Sequence, residues 1–521
     1  MLRKLVVCAM LAAASQTPAP SFPLEEATVS QLQDWMTSGR YTARQIAELY
    51  LRRIDEIDRN GPALRSVIEI NPDALSIADG LDAERRSKGV RGPLHGIPIL
   101  IKDNIDTADR MMTTAGSLAL EGSIATKDAF VVRRLRAAGL VILGKTNLSE
   151  WANFRSTHST SGWSGRGGLV RSPYALDRNP CGSSSGTGAA IAASLAAIGV
   201  GTETDGSIVC PSGANGLVGI KPTLGLVSRS GIIPIAHSQD TAGPMARTVA
   251  DTALLLGVMT GVDPADSDSR RSAAYTNRDY SKSLDPHALA GARIGVARRH
   301  YFGYNDATDA LVERAIADMK AQGAVIVDPA NIPTAARMDA CENEVLQYEF
   351  KADLNKYLAG LGPKAAVRSL QDLIAFNIRE KEREMPFFGQ ELFLASQKRG
   401  PLSSPKYLTA LATCRALARE KGIDFVMRLH RLDALVAPTG SPAWTTDLVN
   451  GDHFTGASST PAAVAGYPSI TVPAGEAFGL PVGISFIGRA WSEPRLIALA
   501  YAYEQATKHR RPPQFQPSVP R

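Results

Sequence analysis

Apolar residues recur at helical spacing after Thr42, at Ile46, Leu49, Leu51, Ile54 and Ile57. Thr42 and Gln45 are placed as a capping box and Gly61 as a stop, which predicts an amphipathic helix. Glu69 to Lys88 reads as a second helix. The period then changes. Pro98-Ile99-Leu100-Ile101 is a continuous apolar run, the pattern of a buried strand, and Lys102 stands at its end. Ala129 to Ala138 predicts a helix closed by Gly139, followed by a strand over Leu140–Leu143. Ala189 to Ile198 carries no charge and is almost all small or aliphatic, which suits a buried helix packed closely on its neighbours. Further on, a strand over Ala292–Ala297, a helix over Ala307–Gln322 and a strand over Ala324–Asp328 alternate. That order indicates α/β structure with parallel pairing. Ala335 to Leu432 is mostly helical, an excursion expected to lie over the sheet and help shape a pocket. Leu432–Val436, Ser469–Pro473 and Val482–Ile487 read as core strands.

Composition narrows the class. The chain has 521 residues, 44% of them hydrophobic and 21% charged, as in a soluble globular protein. Its net charge of +6 is weak for the size and gives no reason to expect nucleic acid. The first stretch, residues 1–20, has basic Arg3 and Lys4, an apolar run from Leu5 to Ala14, and small residues after it. That order predicts a signal peptide and hence an exported protein, periplasmic or secreted. The apolar run is too short to hold a membrane securely, so no stable insertion is expected. Residues 21–510 then form the working domain. The proline-rich tail, residues 511–521, is expected to be disordered.

Four cysteines follow the leader: Cys181, Cys210, Cys341 and Cys414. They are too few for a disulfide scaffold and lack metal-ligand spacing, so no metal or other cofactor is expected. Cys181 and Cys210 are near enough to the glycine turns described next to leave a bridge open. Buried free thiols are the favoured reading.

Two serine-bearing glycine turns flank the uncharged run: Cys181-Gly182-Ser183-Ser184-Ser185-Gly186 and Thr204-Asp205-Gly206-Ser207. Glycine lets such turns aim backbone N–H groups at one point, where a developing oxyanion could be held beside an attacking serine. Lys102 is the candidate base, because apolar surroundings disfavour a lysine's charged form. Two other motifs lack their context. Gly139-LVIL-Gly144-Lys145-Thr146 matches the phosphate-loop spacing, but its middle residues are aliphatic and a helix precedes it. Ser403-Ser-Pro-Lys406 matches S-x-x-K without a K-T-G partner and reads as a loop.

The ordered set of Lys102, GSSSG, GTETDGSI, GKTNLSEW (Gly144–Trp151), GLVGIKPTLGLVSRSGIIP (Gly216–Pro234), DTAGPMART (Asp240–Thr248) and GYPSITVPAG (Gly466–Gly475) resembles the amidase signature family of serine hydrolases. The resemblance runs from roughly Ile46 to Glu504 and implies that family's fold, a mixed central sheet covered by helices on both faces. It also implies a Ser–cis-Ser–Lys triad, with Ser207 as nucleophile, Ser183 as bridging serine and Lys102 as base. Ser183 and Ser207 keep the family's spacing of 24 residues. The backbone of Thr204, Asp205, Gly206 and Ser207 would form the oxyanion hole. None of the eight histidines needs a role.

Two departures from the family pattern bear on substrate. Glu203 stands where Asp is usual and Asp205 where Gly is usual. Ile208, Val209 and Cys210 stand where relatives carry an arginine for acidic substrates, which argues against small dicarboxylate half-amides. GTETDGSIVCP is most similar to bacterial peptide amidases. The resemblance therefore implies hydrolysis of a small-molecule or peptide amide, C-terminal peptide amides leading. Alternatives are a broad aliphatic, aryl or fatty-amide amidase, a glutamyl-tRNA amidotransferase A-like subunit, and a non-catalytic secreted binding protein.

Overall fold

The computed structural model describes residues 22–362 and 365–519. The leader lies outside them. Eleven strands form one mixed sheet. In chain order they are β1 (Val67–Ile70), β2 (Pro98–Lys102), β3 (Val141–Thr146), β4 (Ile198–Glu203), β5 (Val218–Lys221), β6 (Thr241–Ala246), β7 (Arg293–Val296), β8 (Val325–Val327), β9 (Ala434–Pro438), β10 (Ser469–Ala477) and β11 (Leu480–Ile487). Across the sheet they run β1-β3-β2-β4-β6-β5-β10-β11-β9-β7-β8. β2 pairs in parallel with both β3 and β4, and β7 with both β8 and β9. The middle of the sheet, from β4 through β11 to β9, is antiparallel. The parallel groups and the helices over them are the α/β part legible from alternation.

Helices α1 (Val29–Thr37) and α2 (Ala43–Arg53) both begin with capping boxes, on Thr28 with Gln31 and on Thr42 with Gln45. Each box satisfies two N–H groups that the helix leaves open. Helix α3 (Ala74–Lys88) starts later than its pattern suggested, because Glu69 belongs to edge strand β1. Helix α4 (Phe130–Ala137) and strand β3 follow as expected. β3 also disposes of the phosphate-loop spacing. Gly144, Lys145 and Thr146 lie within the strand, and buried Lys145 donates to Ile105 O (2.7 Å), Met112 O (3.2 Å) and Thr113 Oγ1 (3.1 Å).

The uncharged run is not one helix. Helix α5 (Ser185–Ala192) is buried at every position, the chain turns at Ser194 with φ 56°, and Ile198 opens β4. Small residues made the first half packable as a helix. The rest of the run, residues 193–197, is a turn, and from Ile198 the chain alternates β-branched Ile198, Val200 and Thr202 with glycine, which favours a strand. Close packing of α5 demands glycine at 186, where a Cβ would collide with the carbonyls of Ser66 and Asn147.

Helices α6 (Val209–Ala214), α7 (Val249–Met259) and α8 (Asp306–Ala321) also cover the sheet, as does the helix over Glu493–Thr507. Helix α9 (Asp339–Gly360) opens the helical excursion. Its Phe350, Leu354 and Leu358 cluster with Trp151, Phe154, Ile233 and Ile235, so the excursion is packed onto loops at the end of the sheet.

The tail departs from expectation. Phe515 N donates to Pro173 O (2.9 Å) and Leu176 N to Gln516 O (2.8 Å), which docks the chain end as far as Val519. Just before it, Arg510 pairs with Glu26 (2.7 Å) and donates to Ala192 O (3.1 Å) and Gly216 O (2.7 Å). Backbone pairing with the segment from Pro173 to Leu176, one carbonyl accepting and one N–H donating, outweighs the proline content.

Candidate functional site

Lys102 ends β2 in the parallel part of the sheet. Its neighbour β4 brings Thr202 alongside, and the turn ahead of α5 brings Ser183 above it. Lys102 Nζ donates to Ser183 Oγ at 2.8 Å, to Thr202 Oγ1 at 2.9 Å and to Thr202 O at 3.3 Å. Lys102 and Ser183 are both fully buried. Burial pushes the Lys102 ammonium down to about 7, against the opposing pull of Glu203 and Asp240. Near neutral pH this lysine is therefore divided between its charged and neutral forms.

The peptide bond Gly182–Ser183 is cis. Two backbone bonds seat this turn: Ser149 N donates to Ser183 O (3.1 Å), and Ser184 N donates to Ser207 O (3.2 Å). The second ties the two serine turns together directly. Ser207 stands between β4 and α6 and is 8% exposed. It lies on the wall of a cavity of about 360 Å³ that it shares with Thr204, Asp205 and Gly206. Gly206 has φ 78°, the left-handed conformation that glycine adopts without strain. Among the described residues, the N–H groups of Asp205, Gly206 and Ser207 donate to no protein acceptor. Lys102 and Ser183 thus meet at the buried end, while Ser207 stands on the cavity wall and is tied to the Ser183 turn through its backbone carbonyl.

Four residues beyond the predicted set hold this arrangement: Thr202, Asn104, Glu203 and Asp240. Asn104 Nδ2 donates to Thr202 Oγ1 (3.0 Å), fixing the hydroxyl that receives Lys102. Glu203 Oε2 accepts from Ile208 N (2.7 Å) and Val209 N (3.0 Å), stapling the end of β4 to the residues just past Ser207. Asp240 accepts from Thr204 Oγ1 (2.6 Å) and from Ile235 N and Ala236 N (2.8 Å each). Burial raises its carboxyl to about 6. The motifs GTETDGSI and DTAGP contained three of these residues, but nothing in their spacing assigned them a task. Asp205 also faces away from a purely backbone role: its Oδ2 accepts from Thr460 Oγ1 at 2.6 Å.

The thiol reading is corrected. Cys181 pairs with Cys210, and Cys341 with Cys414. The first bridge joins the residue two before Ser183 to the residue three after Ser207, with Cα atoms 6.0 Å apart. The fold of α5 and β4 back on each other creates that proximity, and a separation of 29 residues along the chain did not reveal it. Both cysteines line the cavity. The segment Trp151–Asp177 contributes Ala152, Asn153, Phe154 and Ser161 to the lining. Its other aromatic residues serve elsewhere: Trp163 packs on Phe387 and Phe388, and Tyr174 donates to Arg511 O (2.7 Å).

A second cavity, about 690 Å³, adjoins the first at Ala152, Thr204 and Ile235 and reaches Asn104 and Thr202, but Ser207 does not line it. At its edge His237, Glu349 and Asp353 come together. His237 Nδ1 meets Asp353 at 2.7 Å and Nε2 meets Glu349 at 3.5 Å, so both ring nitrogens are engaged by carboxylates in an ion-paired clasp. The smaller cavity is the one that Ser207 and the two serine turns line. A lysine able to lose its proton, a buried hydroxyl, a reachable hydroxyl and uncommitted N–H groups together suit acyl transfer.

Residues 45–497 match the family described as Amidase. A protein of Arabidopsis thaliana named as a probable amidase is 42% identical over 504 residues, covering 95% of this chain and 93% of that protein. A glutamyl-tRNA(Gln) amidotransferase subunit of Halorhodospira halophila is 35% identical, covering 94% of this chain and 99% of its own length. Among solved structures, native peptide amidase from Stenotrophomonas maltophilia superposes with a TM-score of 0.91 at 52% identity, covering 95% of this chain and 99% of that one.

Proposed function

The chain belongs to the amidase family and is an amide-hydrolysing enzyme, and on that premise we propose that Ser207, Ser183 and Lys102 hydrolyse carboxamides through an acyl-enzyme, with peptide C-terminal amides as the leading substrates. Neutral Lys102 takes a proton from Ser183 as Ser183 takes one from Ser207. Ser207 Oγ then bonds to the amide carbon. The N–H groups of the Thr204–Ser207 turn receive the oxyanion. Ser183 returns a proton to the departing nitrogen, the C–N bond breaks, and ammonia or amine leaves. Water, deprotonated along the same relay, attacks the ester, and Ser207 recovers its proton.

The observation that carries this reading is the 2.8 Å contact between Lys102 and Ser183 in a fully buried setting, one turn away from Ser207 and its uncommitted N–H groups. Substrate class is supported by charge. Among its lining residues the cavity has no lysine, arginine or histidine, while Asp205 and Asp452 contribute carboxylates. A neutral amide meets no repulsion there, whereas a carboxylate product does. The similarity to the Stenotrophomonas maltophilia peptide amidase points the same way. Apolar walls of Phe154, Leu346 and Trp444 favour, as a second reading, a broad aliphatic or aryl amidase.

The test is ammonia release from a panel containing a peptide amide, the same peptide as free acid, an anilide, a fatty amide and malonamate, with Ser207→Ala alongside. Release mainly from the peptide amide, lowered about 10⁴-fold or more in the variant, is expected. Undiminished turnover by Ser207→Ala would sink the triad. We also propose export, supported by two disulfides that an oxidising compartment would preserve. The intact mass of exported protein should lack the leader.

A further inference from the structure

We infer that the cavity wall made by the Cys181–Cys210 disulfide, Trp444 and Phe454 is a subsite for a large apolar side chain on the residue bearing the scissile carboxamide. The inference rests on the peptide-amide reading above. Cys181, Cys210, Ala214 and Trp444 form an apolar cluster of their own, separate from the main core. Unlike the other small clusters, it faces the cavity that contains Ser207. Cys210 is three residues past Ser207, so the wall begins within one helical turn of the nucleophile.

The wall is held rigidly. Trp444 Nε1 donates to Asp452 Oδ1 (3.2 Å), and Trp444 O accepts from Asn179 N (2.8 Å). Asp452 in turn accepts from Ser161 N (3.0 Å) and Asn179 Nδ2 (3.3 Å). The disulfide fixes the other side. Phe454 extends this wall toward solvent, standing edge-on to Trp444 at 5.6 Å and 78°. It is 47% exposed, an apolar ring left open beside the cavity. A preformed aromatic corner next to a polar turn is the arrangement that orients an apolar group while the polar turn holds the reacting one.

Kinetics on N-acetyl dipeptide amides ending in Phe, Leu, Gly and Glu test this. The expected kcat/KM for the Phe amide exceeds that for the Gly amide by about 30-fold, and Phe454→Ala lowers that ratio about tenfold. A Phe-to-Gly ratio near unity in the wild-type enzyme would overturn the subsite. Calorimetric binding of the same amides to Ser207→Ala separates the two layers. Tighter binding of the Phe amide there supports the subsite even if no amide is turned over, and that failure would then fall on the catalytic reading. Equal binding of the Phe and Gly amides overturns the subsite whatever the turnover.

Discussion

Lys102 and Lys145 sit on adjacent parallel strands, one residue out of register, with Lys145 opposite Ile101 and Thr146 opposite Lys102. Both are fully buried, and burial lowers both from the ordinary lysine value. Their partners differ. Lys145 donates to two carbonyls and a threonine hydroxyl, with Asp103 and Asp106 close enough to sustain its charge. Carbonyls only accept, and the Thr113 hydroxyl directs its own proton at Ile105 O (3.5 Å), so this site suits an ammonium. Lys102 meets the hydroxyls of Ser183 and Thr202 as well as one carbonyl. A hydroxyl can donate as readily as it accepts, so Ser183 can keep its bond to Lys102 after the proton has moved. Burial alone does not make a lysine a base. The reversibility of its partner does.

Removing each lysine in turn should have the largest effect. Lys102→Met is expected to lower kcat by about 10³-fold or more, and Lys102→Arg to leave it there, because arginine stays charged. Lys145→Met should instead cost about 3 kcal/mol of stability in urea unfolding, by stranding Asp103 and Asp106, with kcat per folded molecule little changed. A catalytic collapse in Lys145→Met with full stability would erase the distinction.

Titration should also separate the two lysines. With Lys102 titrating at about 7, kcat should rise across neutral pH along a one-proton limb that Lys145→Met leaves in place. The stability sign is fixed too. Between about 7 and its ordinary 10.5 the folded state binds fewer protons at Lys102 than the unfolded state, so this group's contribution to stability increases as pH rises through that window. Lys102→Met should flatten that slope in pH-dependent unfolding.

The smallest effect concerns a third lysine. Lys406, from the S-x-x-K coincidence, is 63% exposed at its side chain and pairs with Glu344 at 2.9 Å. Lys406→Ala should shift stability by less than about 1 kcal/mol and leave turnover alone.

Much of this was legible in the chain. The apolar run before Lys102 and the capping box on Thr42 are local signals, and local signals survive the rest of the fold. The serine turns were visible through their glycines. What sequence did not disclose depends on contacts made at a distance. Ala189 to Ile198 reads as one apolar stretch until β2 and β6 claim the chain from Ile198 onward as a strand and leave residues 193–197 as the turn into it. Glu203 could be seen as a departure from pattern, but its staple to Ile208 and Val209 exists only once the turn closes. The two disulfides and the docked tail likewise depend on partners brought near by the sheet. Lys102 and Lys145 looked alike as lysines beside apolar strands, and only their acceptors tell them apart.

Arg510 closes the far end of α5, the helix that starts two residues after Ser183, by taking up the carbonyl of Ala192, and it reaches Gly216 just past α6. The serine turns therefore stand on a frame whose clasp is synthesised 318 positions after the carbonyl it holds. A nascent polypeptide already carrying Lys102, Ser183 and Ser207 would still lack it, so this end of α5 is closed only when nearly the whole chain has been made.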